Sequence, residues 1–472
     1  MREIPPAIRN SRFLEQIDVT SMLYCLAVLW PIIAFGAVRP FGVSAACLGM
    51  VALGLAVLLT KGVARNTMPP LLAAGVLLLV SEAWAVYQAR PDWFLFVGAN
   101  RPTISIQPSD SLYSVQVFSF PALAFVVGLL VLREDVKARF AMHFLMMAAA
   151  AIIMLAAAFF ISDPGYILSF HKTAYFDSFT ATLVNRNNAG TLIGAVVLLI
   201  LRQFWSSCRS IRAFDLFQAV FFWKMEKRRE VLKALFYGIL LSGHIVALFL
   251  TKSRGAIFCT LLGFVVLVSF LFWMRQKRRY SGSAFVVRIC FGATALFVLI
   301  LTAFLLVGER VAMRTAIMGA RDPRLCVMPG LLRTLKEYFW VGSGAGTFQM
   351  AFAPNREPEC GLLYVWEKAH NTYLQNWIEF GVLAPCLTII LLGGLIMSFV
   401  WAIRTLARQR SYPALGLALV ILMASNSAVD FPVEIPGISG FVAAILAMVT
   451  VICKAQFTTN ATSERSSLPQ HI

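Results

Sequence analysis

Charged residues are scarce in this chain. Only 14% of its 472 residues are Asp, Glu, Lys or Arg, whereas 59% are hydrophobic. A soluble domain carries roughly a quarter charged residues, so this composition excludes an ordinary soluble fold. Apolar runs of about 20 residues recur along the chain, and each is long enough to cross ~30 Å of hydrocarbon as a helix. The sequence therefore predicts an all-α polytopic membrane protein.

Several motifs that carry chemistry elsewhere are missing. The nine cysteines show no C-x-x-C spacing, so zinc and redox motifs are not indicated. No D-x-D pair stands on the outer side, and Asp430 and Glu434, between the last two spans, do not make a metal-ligand set. No secretory cleavage pattern follows Arg2, Arg9 and Arg12, which precede a full-length span. We therefore expect neither a metal nor a cofactor.

Positive charge exceeds negative charge, with a net +18. In a soluble protein this excess would indicate nucleic acid. In a membrane protein the cytoplasmic loops collect Lys and Arg, which is the simpler explanation. We therefore expect membrane lipids and no nucleic acid as partners.

The hydropathy pattern divides the chain into about twelve candidate transmembrane helices. Their approximate ranges are 22–38, 41–60, 70–88, 113–132, 141–161, 183–201, 232–250, 255–274, 285–307, 377–403, 413–429 and 437–453.

The connections fall into two sets when the spans alternate in direction. One set is short and basic and includes both termini, so we expect both termini, with the tail 455–472, in the cytoplasm. In that set, the segment 202–231 mixes aromatic and basic residues, which predicts an amphipathic helix in the headgroup layer. The other set contains one large loop, 308–369, and loops of such length are usually functional.

This loop, on the side opposite the cytoplasm, is rich in arginine, against the positive-inside trend, so an anionic partner is expected. Leu331 to Trp340 predicts a short amphipathic helix, which the glycines of 342–346 end. Cys326 and Cys360 both lie in the loop. An oxidising periplasm would allow them to form a disulfide; the alternative is two unpaired thiols.

Three polar islands lie at the ends of apolar helices: Asn185–Asn188, Ser253–Gly255, and Ala369–Gln375 with Glu379–Gly381. Arg254, in the second, offers a planar set of donors that matches phosphate oxygens, although an interfacial arginine can also extend its charge out of the membrane without a ligand. Arg186 and Asn187, in the first, stand where a helix begins and anions bind well; Asn187 and Asn188 are the expected caps, and a plain cap is the alternative.

His370 belongs to the third island. Histidine titrates near neutral pH, so His370 can accept a proton from a sugar hydroxyl; the alternative is a hydrogen-bonded structural histidine. Asn371, Gln375 and Glu379 form an adjacent stripe on the helix that is expected to follow. Glu379 would then lie inside a span, where an ionised group needs a partner or a wet cavity.

The islands follow one another in an order that resembles the O-antigen ligase and polysaccharide polymerase superfamily. The resemblance covers about residues 183–381 and rests on N-R-N-N-A-G at 185–190, S-R-G at 253–255, Arg324 with W-V-G-S-G-A-G-T-F at 340–348, and A-H-N-T-Y-L-Q…E-x-G at 369–381. It implies a GT-C-like fold in the bacterial inner membrane, with a periplasmic active site. It also implies transfer of a glycan from undecaprenyl diphosphate to lipid A–core or to a lipid-linked glycan, without cofactor or metal.

The resemblance also implies roles for individual residues. His370, Arg254 and Arg324 match the functional residues of the family. The substrate-binding candidates are Arg186, Asn187, Arg314, Arg333, Asn371, Gln375 and Glu379. The chain would then divide into N-terminal helices at 1–182, a ligase-like region at 183–454 that includes the loop, and the tail.

Two alternatives stay open at this stage. The sequence does not separate a ligase from a polymerase, because no readable motif marks the acceptor. A transporter or flippase also suits about twelve spans with internal termini. The chain shows no repeat between its halves and no matched broken helices, and its one large loop is asymmetric, which favours the enzyme.

Overall fold

A computed structural model describes residues 18–90, 103–208, 228–276, 326–357 and 366–466. These residues form fourteen α-helices and one two-stranded hairpin. Within the described ranges, nine helices are long and apolar enough to cross a membrane, and two shorter ones are also apolar. The prediction of an all-α polytopic membrane protein is confirmed.

In chain order the helices are α1 Val19–Ile33, α2 Pro40–Lys61, α3 Met68–Ala89, α4 Pro108–Val131, α5 Asp135–Ser162, α6 Arg186–Cys208, α7 Arg228–Leu250, α8 Arg254–Gln276, α9 Met328–Glu337, α10 Phe348–Phe352, α11 Thr372–Phe380, α12 Leu383–Thr405, α13 Ser411–Ser427 and α14 Pro436–Ser466. The hairpin, β1 Tyr166–Ile167 and β2 Phe170–His171, lies between α5 and α6 and is antiparallel.

Helices α14 and α6 form the centre of the bundle. The apolar window of α14 is 89% buried and that of α6 is 61% buried, against 6% for α3. Helix α14 packs on α4, α5 and α1, and α6 packs on α7, α8 and α13. Small residues allow this approach: a Cβ on Gly440 would lie 2.2 Å from the ring of Phe120. Close backbone packing of this kind holds transmembrane helices together where lipid supplies no hydrophobic drive.

The predicted span 377–403 is wrong in its first part. Residues Thr372–Phe380 form the separate short helix α11, and the membrane-crossing helix α12 begins at Leu383. The break is at Gly381, which has φ +68°, and a Cβ there would lie 2.3 Å from the carbonyl oxygen of Trp340. Glu379 therefore lies in a short helix at the end of the bundle and not inside a span.

The loop glycines adopt the conformation that their sequence indicates. Helix α9, Met328–Glu337, is the short helix expected in the loop, and it begins and ends three residues earlier than the predicted Leu331 to Trp340. Gly342, Gly344 and Gly346 have φ values of +80°, +107° and +72°. A Cβ on Gly342 would lie 2.2 Å from the carbonyl oxygen of Glu379, so only glycine allows the loop to press on α11.

The N-terminal helices support this loop. Gln88 of α3 donates from Nε2 to the carbonyl oxygens of Val341 (2.7 Å) and Glu379 (2.9 Å). Ser111 of α4 donates to the carbonyl oxygen of Ala345 at 2.9 Å. Residues far apart in sequence thus fix one platform, made of segment 341–346 and the end of α11.

Some predictions fall outside the described residues. The span 285–307, Arg314, Arg324 and Cys360 all lie there. Cys326 is disulfide-bonded, and its pairing with Cys360 stays a prediction. Of the expected interfacial segment 202–231, the described parts extend α6 to Cys208 and begin α7 at Arg228.

Candidate functional site

The first two polar islands contact each other directly. Ser253, which precedes α8, donates from Oγ to Oδ1 of Asn187 in the first turn of α6, at 2.8 Å. Asn185, not Asn187 or Asn188, caps α6: its Oδ1 accepts the backbone N–H of Asn187 at 2.8 Å. Asn185 is the cap because it directly precedes the first helical residue, Arg186. The Asn187 side chain is therefore not needed as a cap and accepts the hydrogen bond from Ser253.

The end of α13 joins this junction. Asn426 donates from its side chain to the Thr191 hydroxyl of α6. Gly255 of α8 lies so close to Val429 that an added Cβ would stand 3.3 Å from its Cγ2. Asp430 follows in the chain and contacts the third island. The starts of α6 and α8 and the end of α13 therefore meet at one end of the bundle.

His370 is held by this segment. Its Nδ1 lies 3.2 Å from Oδ1 of Asp430, whose side chain is only 4% exposed. The imidazole contacts the rings of Trp366, with centroids 5.9 Å apart, and Phe431, at 5.2 Å. With a quarter of the side chain exposed, Nε2 is the nitrogen that remains for a substrate.

The backbone at His370 is unusual. Its φ is +50°, a left-handed conformation that costs about 1–3 kcal/mol for a residue other than glycine. The next residue, Asn371, caps α11 by accepting the N–H of Leu374 at 3.1 Å. Gln375 Oε1 accepts the N–H of Ala369 at 3.0 Å. The motif therefore folds into a tight turn that presents the histidine at the start of α11.

Arg254 begins α8 and is exposed. Its guanidinium has no hydrogen bond or ion pair with any residue in the described part of the chain, so no described residue competes with an anion for its donors. The neighbouring Lys252 is engaged, with Nζ 3.0 Å from Oδ2 of Asp177. A cation at a helix start next to polar side chains of the first island is suited to an oxyanion.

Arg186 is more constrained than Arg254. Its Nη1 donates to Ser178 Oγ at 3.3 Å, and its guanidinium carbon lies 5.4 Å from the ring centroid of Tyr175. Its Nε is buried and makes no hydrogen bond to another described residue. Because of these contacts, Arg186 is better suited to supporting a bound anion from a half-buried position than to being the first residue that the anion contacts.

The side chain of Arg333, in α9, bonds to other residues of the loop. Its Nη2 donates to Glu357 Oε1 at 2.6 Å and to the Asn355 carbonyl at 2.9 Å. A contact with substrate, as the sequence predicts, would have to compete with this ion pair.

Glu379 and Gln375 are buried, each only 1% exposed. Glu379 accepts the backbone N–H groups of Gly346 (2.8 Å, Oε2) and Phe348 (3.3 Å, Oε1). Gln375 donates from Nε2 to Glu434 Oε2 at 2.9 Å, the oxygen that also lies 2.5 Å from Lys368 Nζ. The geometry assigns Gln375 and Glu379 to holding the loop in place, because their polar atoms are occupied by protein groups.

Burial raises the pKa of Glu379 from 4.5 to about 7; the positive charge of Lys368 and the two backbone donors lower it in part, while Glu434 raises it. The protonated form is thus favoured on folding. The stabilising contribution is fully present below pH 4.5 and is lost as pH rises through 7.

Glu379→Gln is therefore expected to remove the loss of stability between pH 5 and 8, because the amide does not titrate. Thermal unfolding of the detergent-solubilised protein at both pH values measures this. Glu367→Gln is the control, since Glu367 is exposed on the same segment. A variant that keeps the full pH dependence of the unmodified protein contradicts this role of Glu379.

The sequence reasoning did not assign Asp430, Glu434 and Lys368 to the site. A signal was present: Asp430 and Glu434 are the only acidic residues between Glu379 and Glu464, in a turn between two apolar helices. Their significance depends on contacts with residues about 60 positions earlier, at His370 and Lys368.

Within the described ranges, no group of three or more His, Cys, Asp or Glu side chains lies together as a metal site would require. A family model described as O-antigen ligase matches residues 236–389. The matched region runs from within α7 through α8 and the loop to the first turns of α12, and so includes Arg254 and His370. No curated protein matches the chain significantly.

Proposed function

We propose that the chain moves a glycan from undecaprenyl diphosphate to an acceptor hydroxyl at the periplasmic face of the bacterial inner membrane. The match of residues 236–389 to the O-antigen ligase model supports membership of the O-antigen ligase and polymerase superfamily, whose general activity is glycosyl transfer. The observation that carries this proposal is that Arg254 is exposed, with no partner among the described residues, at the same bundle end as the His370–Asp430 pair. The guanidinium of Arg254 is suited to binding a diphosphate, and the imidazole of His370 is suited to accepting a proton from a hydroxyl group.

The roles follow from the chemistry. Arg254 binds the diphosphate, Arg186 and a loop arginine support it, and Arg324 is the loop residue that matches the family pattern. Fixed cations stabilise the charge that develops on the leaving group, in a site where they need not reorganise. In this reaction the bond from the anomeric carbon to the phosphate oxygen breaks, and the carrier leaves as undecaprenyl diphosphate.

His370 handles the acceptor. Nδ1–H donates to Asp430, which leaves Nε2 as a proton acceptor for the attacking hydroxyl. The hydroxyl oxygen bonds to the anomeric carbon from the side opposite the diphosphate, so the configuration inverts. Asp430 does not touch the substrate; it is a positioning residue that orients the imidazole and stabilises its protonated form.

The periplasmic location rests on charge. Lys61, Arg133 and Arg202 lie at the other end of the helices, opposite the starts of α6 and α8. Basic residues collect on the cytoplasmic side of membrane proteins, so the His370 end is assigned to the periplasm.

Reconstitution tests the proposal. The full chain in proteoliposomes, supplied with a lipid diphosphate-linked glycan and an acceptor but no nucleotide sugar, is expected to form a new glycoside and release undecaprenyl diphosphate. Movement of intact glycolipid across the bilayer without glycoside formation would instead establish a flippase. A deletion strain separates the two enzyme classes: single repeat units in place of polymer identify a polymerase, and lipid-linked polymer with bare core identifies a ligase.

A further inference from the structure

A second basic site lies at the opposite end of the bundle. A cavity of about 160 Å³ opens between α5, α6 and α13. Its polar lining consists of Arg139, His143, Arg202, Gln203 and Tyr412, and two methionines and two leucines complete it. Arg202 stands sixteen residues after Arg186 on α6, roughly 24 Å along the axis. The cavity is therefore separate from the site around His370.

The charges in this cavity are of one sign. The charged groups that line it are two guanidinium groups, an imidazole adds a possible hydrogen-bond donor, and no carboxylate lines it. The nearest acid on the same helix, Asp135, lies 3.1 Å from Arg139 Nη2 and offsets one of the two cations. His143 is exposed, and its ring contacts Tyr237, with centroids 6.3 Å apart. The lining is thus suited to an anion.

The guanidinium of Arg202 is held in place before any ligand arrives. Its carbon lies 3.7 Å from the ring centroid of Tyr412, Nε and Nη2 donate to Ser411 Oγ at 3.3 and 3.2 Å, and Nη1 donates to Gln203 Oε1 at 3.0 Å. A fixed planar guanidinium binds phosphate oxygens with little loss of side-chain entropy.

The size and the apolar part of the lining identify the class of ligand. A cavity of about 150 Å³ accommodates a benzene molecule, so 160 Å³ has room for a phosphate group with its ester carbons. Methionine and leucine side chains beside the cations suit a lipid in which an anionic group meets hydrocarbon. Basic sites between transmembrane helices on the cytoplasmic side are places where anionic headgroups bind.

We propose that the cavity lined by Arg139, His143 and Arg202 binds the phosphate of an anionic phospholipid from the cytoplasmic leaflet, at a site distinct from the one that handles the glycan. Such a lipid would join α5, α6 and α13. Since α6 and α13 also build the His370 end, its binding is expected to stabilise the whole bundle.

The test measures lipid binding to the full chain in detergent, by native mass spectrometry and by the shift in thermal unfolding midpoint. Phosphatidylglycerol, phosphatidylcholine and inorganic phosphate are compared at equal phosphate concentration. The variants are Arg202→Gln and, because Arg202 also packs on Tyr412, His143→Leu, which leaves that contact intact. Arg404→Ala is the matched control: Arg404 is an exposed arginine in the last turn of α12 and does not line the cavity.

Phosphatidylglycerol is expected to remain bound and to raise the unfolding midpoint of the unmodified chain and of Arg404→Ala. Loss of one charge-assisted contact should weaken binding about tenfold in Arg202→Gln, and binding should also weaken in His143→Leu. Equal binding by both cavity variants overturns the proposal. So does an equal effect of phosphatidylcholine, or a shift by inorganic phosphate as large as that by the anionic lipid.

Discussion

Replacement of His370 by alanine is expected to lower the rate of glycan transfer by about 100- to 10,000-fold, the range that a positioned general base contributes. The imidazole is held by Asp430 and two aromatic rings, with Nε2 left for the acceptor. Without it, the attacking hydroxyl keeps its proton while the carbon–oxygen bond forms. The measurement is the initial rate of glycoside formation in proteoliposomes at saturating donor and acceptor.

The variant Asp430→Asn tests whether Asp430 positions His370 for catalysis or only stabilises the fold. The amide keeps the size of the side chain but does not carry the negative charge that stabilises protonated His370. We expect kcat to fall while KM for both substrates stays near its original value, because the Asp430 side chain is only 4% exposed and acts through His370. A purely structural role would instead lower the amount of folded protein and leave kcat per folded molecule unchanged.

His171→Ala is the matched control for His370. His171 lies exposed in β2, where its ring contacts Tyr166, with centroids 5.2 Å apart. Its removal is expected to leave transfer unchanged. Full activity of His370→Ala, at the membrane level of the unmodified chain, contradicts the assignment of His370 as the base.

Most helices are predictable from sequence because a long apolar run has few alternatives in a bilayer. The exception is the run 377–403, which is continuous in hydropathy yet breaks at Gly381. The cause is a backbone approach from Trp340, about 40 residues earlier. Local sequence shows that glycine permits such a break, but only the folded loop shows that it is used.

The site was predictable in part for a related reason. Polar islands at helix ends are visible in sequence, and alternation of spans brings them to one side of the membrane. The contacts between them, such as Ser253 with Asn187 and His370 with Asp430, join residues about 60 positions apart. Glu379 and Arg254 are both ionisable residues near helix ends, so the sequence does not distinguish their roles. The structure does, because Glu379 is buried and holds the loop whereas Arg254 is exposed.

Arg254→Ala is expected to lower kcat/KM for the lipid diphosphate donor by about 100- to 1,000-fold, comparable to the loss of one preorganised group that stabilises charge in a transition state. Arg254 is exposed at the start of α8, and no described residue occupies its guanidinium. The variant should fold normally, since Arg254 is exposed and no hydrogen bond or ion pair with a described residue is lost. The rate at varied donor concentration measures the effect.

Two further variants define the contribution of the guanidinium. Arg254→Lys keeps the charge but not the planar pair of donors, so it should restore only part of the activity. Lys252→Ala removes a cation two residues away that is paired with Asp177, and it should retain full activity. Product inhibition by undecaprenyl diphosphate should weaken in Arg254→Ala and not in Lys252→Ala, because Arg254 binds the diphosphate and Lys252 does not. If Arg254→Ala and Lys252→Ala lose activity equally, transfer requires positive charge at this end of the bundle in general, and the specific role assigned to Arg254 is wrong.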